Sequence, residues 1–148
     1  MSIQLTAKQI EYLLLFATWH GYDYSISEAA NRFGVRLPTA SRMVDILCEN
    51  GCLIKESSGL IQLTEESMGI IRPLLHPLNR LTVCLESDVG LPPRQAEQEA
   101  RRMIVSLEPD SITSMRRYVN AAKTPLRKNQ QSERSNCVRN PIRWILKI

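Results

Sequence analysis

The chain has 148 residues, 43% of them hydrophobic, and its 19 Lys and Arg outnumber 15 Asp and Glu for a formal net charge of +4. That is enough chain to bury a core, and no apolar run reaches the roughly 20 residues that span a bilayer, which excludes a membrane-spanning helix. Cys48, Cys52, Cys84 and Cys137 lack disulfide-framework spacing, and the first three are expected as small core or half-buried side chains.

The start of the chain, Met1-Ser-Ile-Gln-Leu-Thr-Ala-Lys8, leads straight into an amphipathic helix over 6–19 rather than a signal peptide, so the expected compartment is the cytoplasm. His20, next to Gly21, suits the negative end of that helix. Residues 26–43 follow the pattern of a helix-turn-helix, with Ala30, Gly34, Val35 and Ala40 as its small, turn and apolar positions. Ser27 is the expected cap of the first of its helices. The second is expected over 38–50, with Pro38 in its first turn and Gly51 ending it. Ala40, Val44, Leu47 and Cys48 make its apolar face, and Thr39, Ser41, Arg42 and Asp45 point elsewhere.

Residues 52–64 read as two short strands around a Ser57-Ser58-Gly59 turn. A hairpin after a helix-turn-helix makes a winged helix, whose second helix enters the major groove while the wing lies on the phosphate backbone. Candidate DNA contacts are therefore Arg36 in the turn, Pro38, Thr39, Ser41 and Arg42 on the helix, and Lys55, Ser57 and Ser58 in the wing.

Thr64 caps a further helix that opens with Glu65 and Glu66. Ile71, Leu74, Leu75, Leu78, Leu81 and Leu85 form its apolar stripe, expected to be buried in the core or at a dimer interface, and Pro73 and Pro77 predict a kink or two shorter pieces. Gly90 ends it, and helices over 94–107 and 111–120 follow, separated by Glu108-Pro109-Asp110. The expected fold is mainly α with a small β-hairpin, divided into a winged-helix domain at 1–64, a helical dimerisation domain at 65–122 and a basic tail at 123–148. Residues 121–148 hold seven basic residues and one acidic, whereas residues 1–120 carry a net −2. The tail adds a non-specific attraction to phosphate, and 129–136 has the polar composition of disorder.

The order of these parts resembles the iron- and manganese-dependent repressors of the diphtheria-toxin-repressor family, in its short manganese-regulator branch. The resemblance covers about residues 6–120. It is carried by Pro38-Thr-Ala-Ser-Arg-Met-Val44, Asn50-Gly-Cys-Leu-Ile54, Leu63-Thr64, His76, Leu81, Gly90-Leu91 and Glu99-Ala100. It implies a homodimeric regulator of a palindromic operator, with manganese or iron bound between the first helix and the second domain. Glu11 and His76 fall at two of the family's ligand places, and Glu97 or Glu99 supply a carboxylate if the register slips. The remaining ligand positions fall on Arg101, Ile104 and Val105, none of which ligates a divalent cation, so the site reads as degenerate. Arg101 is expected to pair with Glu11 or Glu97 instead.

The implied function is sequence-specific DNA binding with a weakened or lost metal response. A MarR-like regulator shares the first half of the pattern, and a protein-interaction winged helix is the other alternative. No G-x-S-x-G, H-E-x-x-H or P-loop motif points to an enzyme.

Overall fold

The computed structural model describes residues 3–18 and 25–121, the side chains of 118–121 excepted; His20, Cys137 and the basic segment 123–148 lie outside the described residues. The elements, in chain order, are α1 (Ala7–Thr18), α2 (Ile26–Phe33), α3 (Leu37–Glu49), β1 (Leu53–Lys55), β2 (Ile61–Leu63), α4 (Glu65–Ser87), α5 (Pro93–Ser106) and α6 (Pro109–Ala121). The two strands pair antiparallel, with Leu53 opposite Leu63 and Lys55 opposite Ile61. The fold is mainly helical with one hairpin, and no helix among the described residues is long and apolar enough to cross a membrane.

Helix α1 is opened by a reciprocal cap. The Thr6 N–H donates to Gln9 Oε1 at 2.8 Å, and the Gln9 N–H donates to Thr6 Oγ1 at 3.3 Å. Every residue from Glu11 to Phe16 is buried, so α1 is covered all round, and it packs on α4, α5 and β2.

The cap of α2 is Ser25, not Ser27. Ser25 has the extended backbone of an N-cap and accepts from the Glu28 N–H, while Glu28 reaches back to the Ser25 N–H. Ser27 is already inside the first turn, and the serine with a glutamate three residues on is Ser25. Gly34, at φ 65°, ends α2, and the Val35 N–H returns to the Ala30 carbonyl at 3.0 Å. Pro38 lies in the first turn of α3, as expected, and Ala40, Val44 and Leu47 are fully buried.

Thr64 joins three elements. Its hydroxyl donates to the Gly51 carbonyl at 2.8 Å and accepts from the Ser67 N–H at 3.2 Å, so the exit of α3, the end of the wing and the start of α4 share one hub. From there α4 runs uninterrupted to Ser87 through Pro73 and Pro77, where the sequence allows a break. The prolines stand one turn apart, and Pro77 is buried, so packing holds a stretch that lacks two backbone donors. Pro109 likewise opens α6 rather than separating helices, since the missing N–H of a first-turn proline costs nothing.

One hydrophobic cluster joins both halves of the chain. Tyr12, Leu13, Leu14, Leu15 and Phe16 of α1 meet Ala29, Phe33, Val44 and Leu47 of the helix-turn-helix, Cys52, Leu53 and Ile61 of the hairpin, and Ile71, Leu78, Ala100 and Ile104. The leucine stripe of α4 is thus largely covered from within: Leu78 is 3% exposed, and Leu74, Leu75, Leu81 and Leu85 are half-buried against the same core. Of the two expectations for this stripe, burial in the core accounts for Leu78 and for most of its neighbours. Cys52 is buried and Cys48 half-buried, and burial raises both thiols above their ordinary range. Cys84 is exposed, against expectation, because α4 turns that side outward; its hydrogen bond with Asp88 keeps it in the thiol form.

Candidate nucleic-acid interface

The buried face of α3 is fixed by Ala40, Val44 and Leu47, which turns Pro38, Arg42 and Ile46 outward along one line at four-residue spacing. Thr39 and Met43 run beside that line, and the five side chains line one concave surface. Pro38, Thr39 and Arg42 are exposed, as is Arg36 before the helix, while Ser41 is half-buried at its flank. In the wing Lys55, Ser57 and Ser58 are exposed. The structure therefore brings the helix candidates onto one outward surface and places the wing candidates on the adjoining hairpin.

The wing also carries a residue that strand patterning does not reveal. Glu56 accepts from Gln62 Nε2 at 2.6 Å and from Ser58 Oγ at 3.4 Å, so a carboxylate is held at the tip beside Lys55. Arg36, Arg42 and Lys55 are matched by Asp45, Glu49 and Glu56, all exposed. A surface so balanced has little long-range attraction for phosphate.

Helix α5 holds the head in place. Arg94 Nη2 donates to the Asn31 carbonyl at 2.7 Å and to its side-chain Oδ1 at 3.1 Å, capping the C-terminal end of α2 with positive charge. Arg32 pairs with Glu97 at 3.3 Å. Between these helices and α1, Tyr12 and Phe33 stack with centroids 3.9 Å apart and planes 7° from parallel. Lys8 Nζ lies 5.3 Å from the Phe33 ring centre, and the guanidinium carbon of Arg101 lies 5.5 Å from it. Burial, reinforced by Glu11, pushes the Tyr12 phenol up, so it remains protonated at neutral pH.

This neighbourhood includes the places where the resemblance calls for metal ligands. Glu11 is buried with its carboxylate on Lys8 Nζ at 3.2 Å, Glu97 is on Arg32, and Glu99 meets Arg102 at 3.4 Å. His76 is half-buried on α4. Arg101 and Ile104 face the core, and Val105 is half-buried. Each candidate carboxylate already has a cation, and among the described residues no three His, Cys, Asp or Glu side chains gather where they could hold a metal ion. The residues present do not fit manganese or iron, which take four to six oxygen or nitrogen donors.

No protein-family model and no curated protein matches the sequence. Among solved structures, the chain is similar to IdeR of T. acidophilum at 15% identity and a TM-score of 0.58, covering 80% of this chain and 56% of that one. It is also similar to the manganese regulator SloR at 15% identity and a TM-score of 0.55, covering 77% of this chain and 53% of that one. The chain thus spans little more than half the length of either. At this identity the likeness is one of fold, and the fold it shares with them is a winged helix-turn-helix continued by packed helices.

Proposed function

We propose that this chain is a sequence-specific DNA-binding transcriptional regulator, a repressor that reads a palindromic operator as a homodimer and needs no metal ion to do so. The observation that carries the proposal is the outward line of α3, where Pro38, Thr39 and Arg42 stand exposed next to a wing presenting Lys55, Ser57 and Ser58. Likeness in fold to a protein described as a manganese regulator supports the regulatory reading. In this scheme residues 1–64 form the reading head, 65–122 the dimerisation region and 123–148 a basic tail. Arg42 reads a base edge, Pro38 sets the approach of the helix, and Arg36, Thr39, Ser41, Lys55, Ser57 and Ser58 hold phosphates. With the leucine stripe turned inward, the exposed Val83, Val89 and Met103 supply apolar contact for the second subunit.

Selection from random duplex DNA, followed by sedimentation of the complex, tests this. A dyad-symmetric site occupied by two protomers is the expected product. Enrichment no better than for scrambled DNA overturns the proposal and favours a protein-binding winged helix, a reading to which the exposed Leu37 and Ile54 of the head lend weight.

Lys55 has no ion-pair partner among the described residues and lies beside Glu56, so its ammonium is available to phosphate. Lys55→Gln should weaken operator and scrambled DNA alike and reduce the salt slope of binding by about 0.9, the amount that neutralising a single phosphate contributes. An unchanged slope would place the wing away from the backbone.

Manganese should leave both Tm and operator affinity unchanged, and a chelator should not release DNA. A ligand stabilises by RT ln(1 + [L]/Kd), which is negligible when the available donors are already paired and Kd exceeds the metal concentration. A metal-dependent rise in either quantity that disappears in His76→Ala would show that His76 ligates after all.

A further inference from the structure

The outward face of α3 also says what kind of sequence it would prefer. Helix Leu37–Glu49 contains no Asn, Gln or Lys, and Arg42 is its one cation. Adenine is read in the major groove by a bidentate amide from Asn or Gln, and guanine by Arg or Lys. This helix therefore has a bidentate group for guanine and none for adenine, whose hydrogen bonds could come only from short groups such as the hydroxyls of Thr39 and Ser41, which do not select between bases. An A·T pair also presents thymine O4, an acceptor, and the thymine C5 methyl, which is recognised by apolar contact.

Apolar side chains stand where such contact would be made. Ile46 follows Arg42 by one turn on the outward line, is half-exposed, and does not belong to the core cluster that holds Val44 and Leu47. Met43 lies beside it, half-buried against the core, with its remaining surface on the same concavity as Thr39 and Arg42. The line from Pro38 to Ile46 extends about 12 Å along the helix axis at 1.5 Å per residue. That length matches roughly three to four base pairs at 3.4 Å each, so Arg42 lies at the middle of the stretch read. An isoleucine on an outward helix face gains nothing from water, whereas a methyl group in the groove would cover it.

We infer that each operator half-site combines a guanine, read by Arg42, with neighbouring thymines whose C5 methyl groups are read by Ile46 and Met43. This inference rests on the DNA-binding function proposed above. The test uses the full chain and the half-site obtained by selection, remade with deoxyuridine in place of each thymine, which keeps base pairing and removes only the methyl. Affinity should fall about four-fold for each methyl contacted, the equivalent of burying one methyl group. Ile46→Ala and Met43→Ala should bind the thymine operator more weakly by a similar factor and lose the difference between thymine and uracil at the position each contacts. Because the uracil comparison leaves the protein unaltered, it stands even if a variant is destabilised. Equal binding of the thymine and uracil operators by the unmutated chain, or selected half-sites without thymine, overturns the methyl readout alone. Failure to enrich any site overturns it together with the DNA-binding function.

Discussion

Leu78→Asp should abolish the fold at every protein concentration. Leu78 lies on the inner side of α4, 3% exposed, in the cluster that joins Leu13, Leu14 and Leu15 of α1 to Ala100 and Ile104 of α5. Truncation of such a leucine to alanine costs about 2–5 kcal/mol, from the transfer energy of the removed atoms and the cavity left behind. An aspartate adds the penalty of a buried carboxylate without a partner, against a total stability of about 5–15 kcal/mol for a domain of this kind. The expected result is loss of the helical circular-dichroism signal in Leu78→Asp, and a lowered Tm with fold retained in Leu78→Ala. If Leu78 were instead an interface residue, Leu78→Asp would sediment as a folded monomer, and that outcome would refute its placement in the core.

This result bears on what the sequence can and cannot reveal. Helical spacing identifies Leu74, Leu78, Leu81 and Leu85 as one face, because side chains three and four residues apart share a side of a helix. Spacing does not say what covers that face. The cover is α5, α6 and α1 together, and in α1 six consecutive buried residues from Glu11 to Phe16 pack on the hairpin and on the following helices at once, a run with no exposed side to give it a period. For the same reason the core is continuous across Thr64, although the chain reads as a head followed by a second helical unit.

Elements with strong local chemistry are legible in the sequence. The Gly34 turn, Pro38 in the first turn of α3, the Ser57-Ser58-Gly59 reversal and the Thr64 cap are each dictated by one or two residues, and each forms where expected. The cap of α2 falls on Ser25 because two serines compete there, and only Ser25 has a glutamate at the third position to return its hydrogen bond. Features that depend on tertiary contact are not legible. The acidic tip of the wing arises from Gln62 and Ser58 converging on Glu56 across the hairpin, and the hold of α5 on α2 arises from Arg94 and Glu97 reaching residues more than 60 positions earlier.

Because that hold fixes the winged helix, removal of an exposed α3 side chain should not disturb the fold, and Arg42→Ala should leave stability within the small range typical of exposed positions, about 0.5 kcal/mol. Arg42 is exposed and makes no hydrogen bond or ion pair among the described residues, so its removal strands no partner. Its proposed contact with guanine O6 and N7 is worth about 1–3 kcal/mol of discrimination, or roughly 5- to 150-fold. The expected result in competition binding is that the variant retains its affinity for scrambled DNA while its preference for the operator collapses by that factor. Arg42→Lys should recover only part of the preference, since an ammonium offers a point charge where the guanidinium offers a two-pronged fork. Full operator preference in Arg42→Ala would mean that the outward line of α3 is not the surface that reads DNA.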